Sequence, residues 1–343
     1  MSVNVAMWRT AIWQLVKIDE KSRWEKLDVV SKWLIATRSA VTTVTLYSCI
    51  IAGLFAWRSG TFLIIPWLIL TVGLFLAHGT NNLLNDYTDF SRGIDNDNYF
   101  RTQYGVHPLV QKFWDKGTQL KWFFVSGVLS TAAGVYALVY THFDPVVIGL
   151  FGYGALMLLL YTYPLKHFAV GELTIFLIWG PVLIGGVYYV LSGNWNWLVT
   201  LAGVPFGLST ASINIGKHID KSPEDKEKGV TTLPVLIGQT AARYLNISVI
   251  VLAYAVTLYL VFVPKFLTPV MLMIFLAAPE ALKAVRRLSS PRPTEAPPGY
   301  PVWPRWFSTL SFLHNRKFVH LFIISVIVDT ILRVIPATSN FWR

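Results

Sequence analysis

The sequence predicts an all-α, polytopic membrane protein in which nine transmembrane helices surround a central cavity and the N-terminus is cytoplasmic. Hydrophobic residues make up 54% of the 343 residues and charged residues only 14%, against roughly 25% charged residues in soluble domains. Long apolar segments recur along the chain, and Lys and Arg are concentrated in alternate connections between them. The single cysteine, Cys49, excludes an internal disulfide framework and a metal site built from cysteines.

The N-terminal segment, residues 1–38, is charged and rich in tryptophan. Val5, Trp8, Ile12 and Leu15 repeat at helical spacing, which is compatible with a helix on the membrane surface and equally with a solvated cytoplasmic helix. The segment does not have the short basic start and apolar run of a secretory signal, so we expect the first span to be retained. We therefore treat this segment as cytoplasmic or interfacial.

Nine segments are apolar enough to cross a membrane. A crossing takes about 20 residues at about 1.5 Å per residue, because backbone groups cannot stay unpaired in lipid. The transmembrane domain is thus predicted to extend over residues 39–336, leaving residues 337–343 as a short tail. The predicted spans lie near residues 39–57, 62–84, 119–140, 144–163, 171–191, 195–216, 241–262, 266–285 and 317–336.

The distribution of basic residues predicts the orientation of the chain. All but four of the 29 Lys and Arg residues lie in the N-terminal segment or beside the connections that follow even-numbered spans. Because basic loops are held on the cytoplasmic side during insertion, this asymmetry predicts a multi-pass protein with a cytoplasmic N-terminus. The net charge of +11 is spread over separate loops, which favours contact with membrane lipid over a nucleic-acid partner.

Half of the 18 acidic residues fall in the connections after spans 2 and 6, which are both predicted to be cytoplasmic. The first of these clusters begins inside the end of an apolar helix. Asn82, Asp86 and Asp89 recur there at i, i+4 and i+7, and therefore share one helical face. An amide and two carboxylates are thus expected to converge at this helix end.

The second acidic cluster follows four spans later, in NIGKHIDKSPED. Lys217 and Asp220 share one helical face, and Pro223 is expected to end the helix before Asp225. The chain therefore resembles a duplication around one site.

Carboxylates massed at membrane depth repel one another and lose hydration, so a stable arrangement needs cations between them. Mg²⁺ takes oxygen ligands and is usually held by one or two carboxylates together with substrate phosphates. Interleaved cations such as Arg101 and Lys217 would receive a diphosphate. The sequence therefore predicts a Mg²⁺-dependent diphosphate site, and solvated acidic loops are the alternative.

Four segments of the sequence resemble the UbiA superfamily of intramembrane prenyltransferases. Together they cover the chain from about residue 33 to 240, and only their conjunction is specific. They are WLIATRSA (Trp33 to Ala40), NDYTDFSRGID (Asn85 to Asp95), YTYPLKHFAVGELTIFLIWGP (Tyr161 to Pro181) and KHIDKSPEDKEKGVTTLPVLIG (Lys217 to Gly238).

The resemblance implies an enzyme that transfers a polyprenyl group from its diphosphate to a lipophilic aromatic acceptor. The Gly-x-Asp ending of the first motif and the GE…F…GP run most resemble the dihydroxynaphthoate-prenylating branch of menaquinone, and hence quinone, biosynthesis. The implied cofactor is Mg²⁺, and the implied partners are a polyprenyl diphosphate, the acceptor and membrane lipid. The implied active site faces the cytoplasm.

The resemblance also implies a set of site residues. Asp86, Asp89, Asp220 and Asp225 would be catalytic, and with Asn82 they would be the metal ligands. The residues implied to bind substrate are Asn82, Arg101, Lys217, Tyr161 and Arg38.

The sequence departs from the family pattern at two of these places. Ser39 replaces the usual proline after Arg38, and Asp220 and Asp225 are five residues apart where four is more usual. Two alternatives to prenyl transfer stay open. One is a membrane terpene cyclase, which has the same metal site and no acceptor. The other is a cation or lipid transporter that uses Glu280 and Asp329 within apolar spans.

Overall fold

The computed structural model describes residues 3–95 and 105–335, and these residues are helical with no β-strand among them. The predicted all-α class is therefore confirmed. The chain divides into two compact units, one formed by residues up to Tyr47 and from Ile65 to Pro164, and one formed by Ser48–Ile64 and the residues from Leu165 onward.

Among the described residues of the first unit, seven helices are present, and the fourth of them continues into the second unit. In chain order they are α1 (Val5–Trp13), α2 (Lys21–Glu25), α3 (Val29–Ala36), α4 (Ser39–Arg58), α5 (Ile64–Ser91), α6 (Lys116–Tyr140) and α7 (Pro145–Leu160).

The second unit begins with a 3₁₀ turn at Leu165–Phe168, and its helix α10 packs against most of the others. A π-helical turn, Ile178–Val182, joins its first two α-helices, and a 3₁₀ segment, Pro269–Ala277, runs into α13. The helices are α8 (Gly171–Leu177), α9 (Leu183–Ser192), α10 (Trp197–Glu227), α11 (Leu233–Ile237), α12 (Gln239–Phe262), α13 (Ala278–Leu288) and α14 (Phe307–Val334).

Within the described residues, each of the nine predicted spans overlaps helical structure. In the described part of the chain, six helices are long and apolar enough to cross a membrane: α4, α5, α6, the continuous α8–α9 rod, α10 and α12. Helix α7 is apolar but has only 16 residues. The eighth predicted span is a 3₁₀ segment followed by α13, and α14 carries charged residues along its length. A count of nine membrane crossings and a cytoplasmic N-terminus therefore stay predictions.

The N-terminal segment packs onto the rest of the first unit. Trp24 is 2% exposed and stacks on Phe113 at 5.2 Å, and Ala11 and Ile18 are buried in the same apolar cluster. At the start of α3, Asp28 accepts hydrogen bonds from Ser31 and Trp8. Burial acts to raise the pKa of Asp28, but these hydrogen bonds outweigh it and lower the pKa to about 2.

The second unit is held together at a glycine contact between the π-helical turn and α10. A Cβ on Gly207 would lie 2.6 Å from the carbonyl oxygen of Phe176 and 2.8 Å from the Cα of Gly180. Only glycine allows two backbones to approach this closely. The contact fixes α10, and with it the second acidic motif, against the segment that begins at Gly171.

The prediction that Pro223 ends its helix is wrong, because α10 continues through Pro223 to Glu227. A proline inside a helix removes the N–H that would bond the carbonyl four residues earlier. Here the hydroxyl of Ser222 donates to the carbonyl of Ile219 at 3.0 Å and replaces that bond. Gln239 donates in turn to the oxygen of Ser222 at 2.7 Å. The second acidic motif is therefore one unbroken helix end.

Candidate active site

The first acidic motif is a buried polar face on the last three turns of α5. Asp86 is fully buried, Asp89 is 2% exposed and Asn82 is 8% exposed. The i, i+4, i+7 spacing places all three on one side of the helix, as the sequence predicted. Acids this deeply buried are not the side chains of a solvated loop, so that alternative is wrong for α5.

Arg38 supplies the cation that these buried oxygens need. Its Nη2 lies 3.1 Å from Oδ1 of Asn82 and 3.3 Å from Oδ1 of Asp86. The Nδ2 of Asn82 donates to the carbonyl of Thr37 at 2.8 Å, which ties the α3–α4 connection to α5. Arg38 has φ of +57°, a backbone conformation that costs energy in a non-glycine residue. The connection is therefore shaped to aim the guanidinium at the acidic face.

The segment after α7 approaches the same helix end. The hydroxyl of Thr162 donates to Oδ1 of Asn85 at 3.3 Å, and the guanidinium of Arg92 lies 4.0 Å from the ring centroid of Tyr163. Tyr161 is the C-terminal cap of α7 and is half-buried. Thr162 and Tyr163, which directly follow Tyr161, thus lie beside the first acidic motif within the first unit.

Asp95, the last acidic residue of the first motif, contacts a histidine. Oδ2 of Asp95 lies 3.1 Å from Nε2 of the fully buried His107. Arg101, which the family resemblance assigns to the diphosphate, lies outside the described residues. Its role stays a prediction.

Two residues of the second motif form an ion pair on the surface of α10. Lys221 and Asp225 are four residues apart, so they share a helical face, and their charged atoms are 3.5 Å apart. Asp225 is 5% exposed, and its Oδ2 lies 3.5 Å from the hydroxyl of Thr232. Lys217 lies one turn before Lys221 on α10 and is half-buried. A carboxylate paired with a lysine is thus present at this helix end.

Asp220 is engaged differently from Asp225. Its Oδ1 accepts the backbone N–H of Phe307 at 2.9 Å, and its Oδ2 accepts the N–H and the hydroxyl of Ser308 at 2.9 and 2.7 Å. Asp220 is fully buried. Its side chain therefore faces the start of α14.

A buried histidine and carboxylate lie beside the second motif. Nδ1 of His218 is 2.6 Å from Oε1 of Glu172, and the two residues are 4% and 3% exposed. The pair joins α10 to the start of α8. The two residues are 46 positions apart in the sequence, so local spacing does not predict the pair.

The donor chemistry of these motifs fits Mg²⁺. Among the residues that the structure describes, no three His, Cys, Asp or Glu side chains converge closely enough to hold a metal ion alone. Mg²⁺ does not require such a cage, since it commonly takes one or two carboxylates and completes its shell with phosphate and water oxygens. Asn82, Asp86 and Asp89 offer only oxygen and amide ligands on one helix face. Asp225 offers a further carboxylate.

An all-helical, multi-pass membrane fold with oxygen-rich motifs at two helix ends defines the class of intramembrane prenyltransferases. The chain belongs to the UbiA prenyltransferase family, whose model matches residues 46–307. This confirms the family resemblance, and three of the four resembling segments lie within the matched residues. The dihydroxynaphthoate-prenylating branch stays a proposal.

The chain is similar to the animal UbiA prenyltransferase domain-containing protein 1. The human protein is 28% identical over 189 residues, covering 54% of this chain and 54% of the relative. The zebrafish protein is 30% identical over 203 residues, covering 58% and 56%. The Drosophila melanogaster homolog is 26% identical over 232 residues, covering 62% and 60%. The chain thus spans a little over half the length of the curated relatives it matches.

Solved structures share the fold at low sequence identity. A UbiA homolog from Aeropyrum pernix superposes with a TM-score of 0.63 at 17% identity, covering 83% of this chain and 97% of that chain. A UbiA homolog from Archaeoglobus fulgidus bound to DMAPP and Mg²⁺ gives 0.53 at 14% identity, covering 87% and 99%. These likenesses establish the fold alone.

Proposed function

We propose that this protein transfers a polyprenyl group from its diphosphate to a lipophilic aromatic acceptor in a Mg²⁺-dependent reaction. The observation that carries the proposal is the buried face of Asn82, Asp86 and Asp89 with Arg38 beside it, in a chain of the UbiA prenyltransferase family. The A. fulgidus homolog, which has the same fold, binds DMAPP, a prenyl diphosphate, together with Mg²⁺. Buried carboxylates next to a guanidinium are suited to hold a metal-bound anion.

In the proposed mechanism, the protein supplies electrostatic stabilisation and orientation. Asp86, Asp89 and Asp225 would hold Mg²⁺, with Asn82 as a neutral ligand. When bound, the metal neutralises the charge that grows on the leaving diphosphate, so that the allylic C–O bond can break. Arg38, Arg101 and Lys217 would bind the diphosphate oxygens directly.

The prenyl cation formed by ionisation needs protection from water until the acceptor attacks. Aromatic ring faces stabilise a nearby cation. Tyr161, at the end of α7, would serve this role. An electron-rich carbon of the acceptor then forms the new C–C bond, and the proton on that carbon passes to the released diphosphate, which restores aromaticity.

We propose a dihydroxynaphthoate-like acceptor, as in menaquinone synthesis, on the strength of the first motif ending in Gly93 and Asp95 and the GE…F…GP run. We also propose that the active site faces the cytoplasm. The excess of Lys and Arg in the connections that carry both motifs supports that orientation.

The transporter alternative finds less support. Glu280 pairs with Lys317 at 3.0 Å, and Asp329 lies 3.2 Å from Arg58. Acids in transport sites usually lie near the bilayer midplane, whereas Asp329 pairs with the last residue of α4. Interhelical ion pairing accounts for both acids.

The direct test incubates purified protein in detergent with radiolabelled geranylgeranyl diphosphate, Mg²⁺ and a panel of aromatic acceptors. We expect diphosphate release and a prenylated product, both abolished by a chelator and by Asp86→Ala or Asp225→Ala. The exposed acids Asp19 and Glu295 provide matched controls, because Asp19→Asn and Glu295→Gln leave both motifs intact.

Each outcome of this assay separates the candidates. A hydrocarbon product without acceptor would replace the transferase with the terpene cyclase. Chelator-insensitive turnover, or full turnover in Asp86→Ala, would overturn the metal site.

A further inference from the structure

The final helix of the second unit lacks a capping side chain of its own. Helix α14 begins at Phe307, and its N-cap residue, Trp306, makes no side-chain hydrogen bond to the first turn. The first backbone N–H groups of a helix have no partner within the helix and need an acceptor, which is usually Ser, Thr, Asp or Asn at the N-cap. In α14 this acceptor comes from Asp220 on α10.

Hydrogen bonds from the start of α14 occupy most of the acceptor positions of the Asp220 carboxylate. It accepts three hydrogen bonds from Phe307 and Ser308, at 2.7 to 2.9 Å. A carboxylate has about four lone-pair positions, and the negative charge is itself favourable at a helix N-terminus. Asp220 thus has the bonding of a helix cap.

Helices α10 and α14 pack closely where they cross at Gly216. A Cβ on Gly216 would lie 3.1 Å from the Cα of Ser308 and 3.0 Å from the hydroxyl of Ser311. Asn246 on α12 donates to both the carbonyl of Ser212 and the hydroxyl of Ser311 at 3.2 Å. The crossing therefore places Asp220, one turn beyond Gly216, at the start of α14.

Arg292, in the connection before α14, contacts the backbone of Asp220. Nη1 of Arg292 donates to the backbone carbonyl of Asp220 at 2.8 Å and to the carbonyl of Pro304 at 3.3 Å. The guanidinium of Arg292 also lies 5.6 Å from the ring centroid of Trp303. The proline-rich connection, which has no motif of its own, is thus anchored on the second acidic motif.

Helical geometry separates Asp220 from Asp225. Because α10 is continuous through Pro223, the five-residue spacing rotates the two side chains by about 140° at 100° per residue. The usual four-residue spacing would place them about 40° apart. In this chain the residue four positions before Asp225 is Lys221, and these two residues form an ion pair.

From these contacts we propose that Asp220 is a positioning residue that docks α14 on the second motif. The face of that motif that meets the diphosphate is formed by Asp225 and Lys221. This second statement rests on the proposed function. The motif thus offers the ligand a carboxylate beside a cation, where the family pattern has two carboxylates.

The docking role is tested by a double-mutant cycle in the absence of metal and substrate. The variants are Asp220→Asn, Ser308→Ala and the double variant, and the readout is the thermal unfolding midpoint in detergent. We expect Asp220→Asn to lower the midpoint by about 3 °C or more, and the double variant to lose less than the sum of the two single variants. Additive effects, or a midpoint for Asp220→Asn equal to that of the native protein, would overturn the docking role.

The ligand face is tested with the same proteins and a non-reactive prenyl thiodiphosphate plus Mg²⁺. We expect this ligand to raise the midpoint of the native protein, Ser308→Ala and Asp220→Asn by similar amounts, and to have little effect on Asp225→Asn. Loss of the ligand-induced shift in Asp220→Asn, with the shift kept in Ser308→Ala, would make Asp220 a ligand and refute the proposal.

The two experiments also separate the failure of this inference from the failure of the proposed function. Absence of a ligand-induced shift in the native protein would count against the prenyltransferase site and would refute the assignment of Asp225 and Lys221. The double-mutant cycle would still decide the docking role. If Asp220→Asn cannot be purified, Ser308→Ala and Arg292→Gln remove single contacts and should each lower the midpoint.

Discussion

Replacing Arg38 by glutamine should destabilise the first unit and make its stability depend on Mg²⁺. Nη2 of Arg38 lies 3.3 Å from the fully buried carboxylate of Asp86, and the Arg38 side chain is 16% exposed. Removing one partner of a buried ion pair costs about 3 to 5 kcal/mol, because the remaining charge is left uncompensated. The partial exposure of Arg38 favours the lower value, about 3 kcal/mol.

For a chain of 343 residues, a loss of about 3 kcal/mol corresponds to a fall of about 4 °C in the thermal midpoint, at an unfolding entropy of about 2.1 cal/mol/K per residue. The assay is thermal unfolding in detergent with and without Mg²⁺. Mg²⁺ should restore more of the midpoint in Arg38→Gln than in the native protein, since the metal replaces the missing cation beside Asp86. Arg38→Lys should lose less, and the exposed Arg9→Gln serves as the control. A midpoint for Arg38→Gln within about 1 °C of native, with no added response to Mg²⁺, would refute the reasoning.

Two further predictions concern stability. Asp28→Ala removes the N-cap of α3 and should lower the free energy of unfolding by about 1 kcal/mol. The pKa of Asp28 is lowered from 3.8 to about 2. The stabilisation by Asp28 is therefore present above about pH 4 and is lost as the pH falls toward 2. Unfolding midpoints of the native and Ala variants should converge over that range, and a gap that stays constant would contradict the assignment. Gly207→Ala places a Cβ 2.6 Å from a backbone oxygen and should cost about 1 to 3 kcal/mol. Gly149→Ala, which meets no atom within 4 Å, should be neutral or stabilising in the same unfolding assay, and equal effects would contradict the packing argument.

Local sequence patterns predicted the helices and the first acidic motif well. Apolar length locates a membrane helix, and i, i+4, i+7 spacing locates a shared face, so Asn82, Asp86 and Asp89 could be placed together from the sequence alone. The partner of Asp86 was harder to predict. Arg38 is 48 residues away, and its approach depends on a left-handed backbone turn at a non-glycine residue.

The sequence did not predict two features of the second acidic motif, the continuation of its helix through Pro223 and the contact of Asp220 with α14. A proline inside a helix normally leaves one carbonyl without its backbone donor. At Pro223 the hydroxyl of Ser222 supplies that hydrogen bond, and the sequence pattern alone does not predict this replacement. The partner of Asp220 is 87 and 88 residues away, at the start of α14. Nothing in the local pattern of Lys217 to Asp225 predicts that contact. The five-residue spacing was visible in the sequence, but its consequence required the helix to be continuous.

The periodicity of the N-terminal segment is compatible with a membrane-surface helix and with a solvated helix. Long-range contacts show that part of the segment packs against the first unit, because Trp24 lies 5.2 Å from Phe113 and 5.6 Å from Trp114 in ring-centroid distance. Val5, Trp13 and Leu15 remain exposed on the same segment. These exposed apolar side chains are compatible with contact with a membrane surface.

We propose that Asp86 and Asp225 both contribute to binding of a Mg²⁺-bound prenyl diphosphate. The most direct measurement is calorimetric binding of a non-reactive prenyl thiodiphosphate to the native protein, Asp86→Asn and Asp225→Asn, each with and without Mg²⁺. We expect Mg²⁺-dependent binding by the native protein and a loss of at least about tenfold in affinity, or about 1.4 kcal/mol, in both variants. Native affinity in either variant, or binding by the native protein that does not change when Mg²⁺ is removed, would contradict the claim.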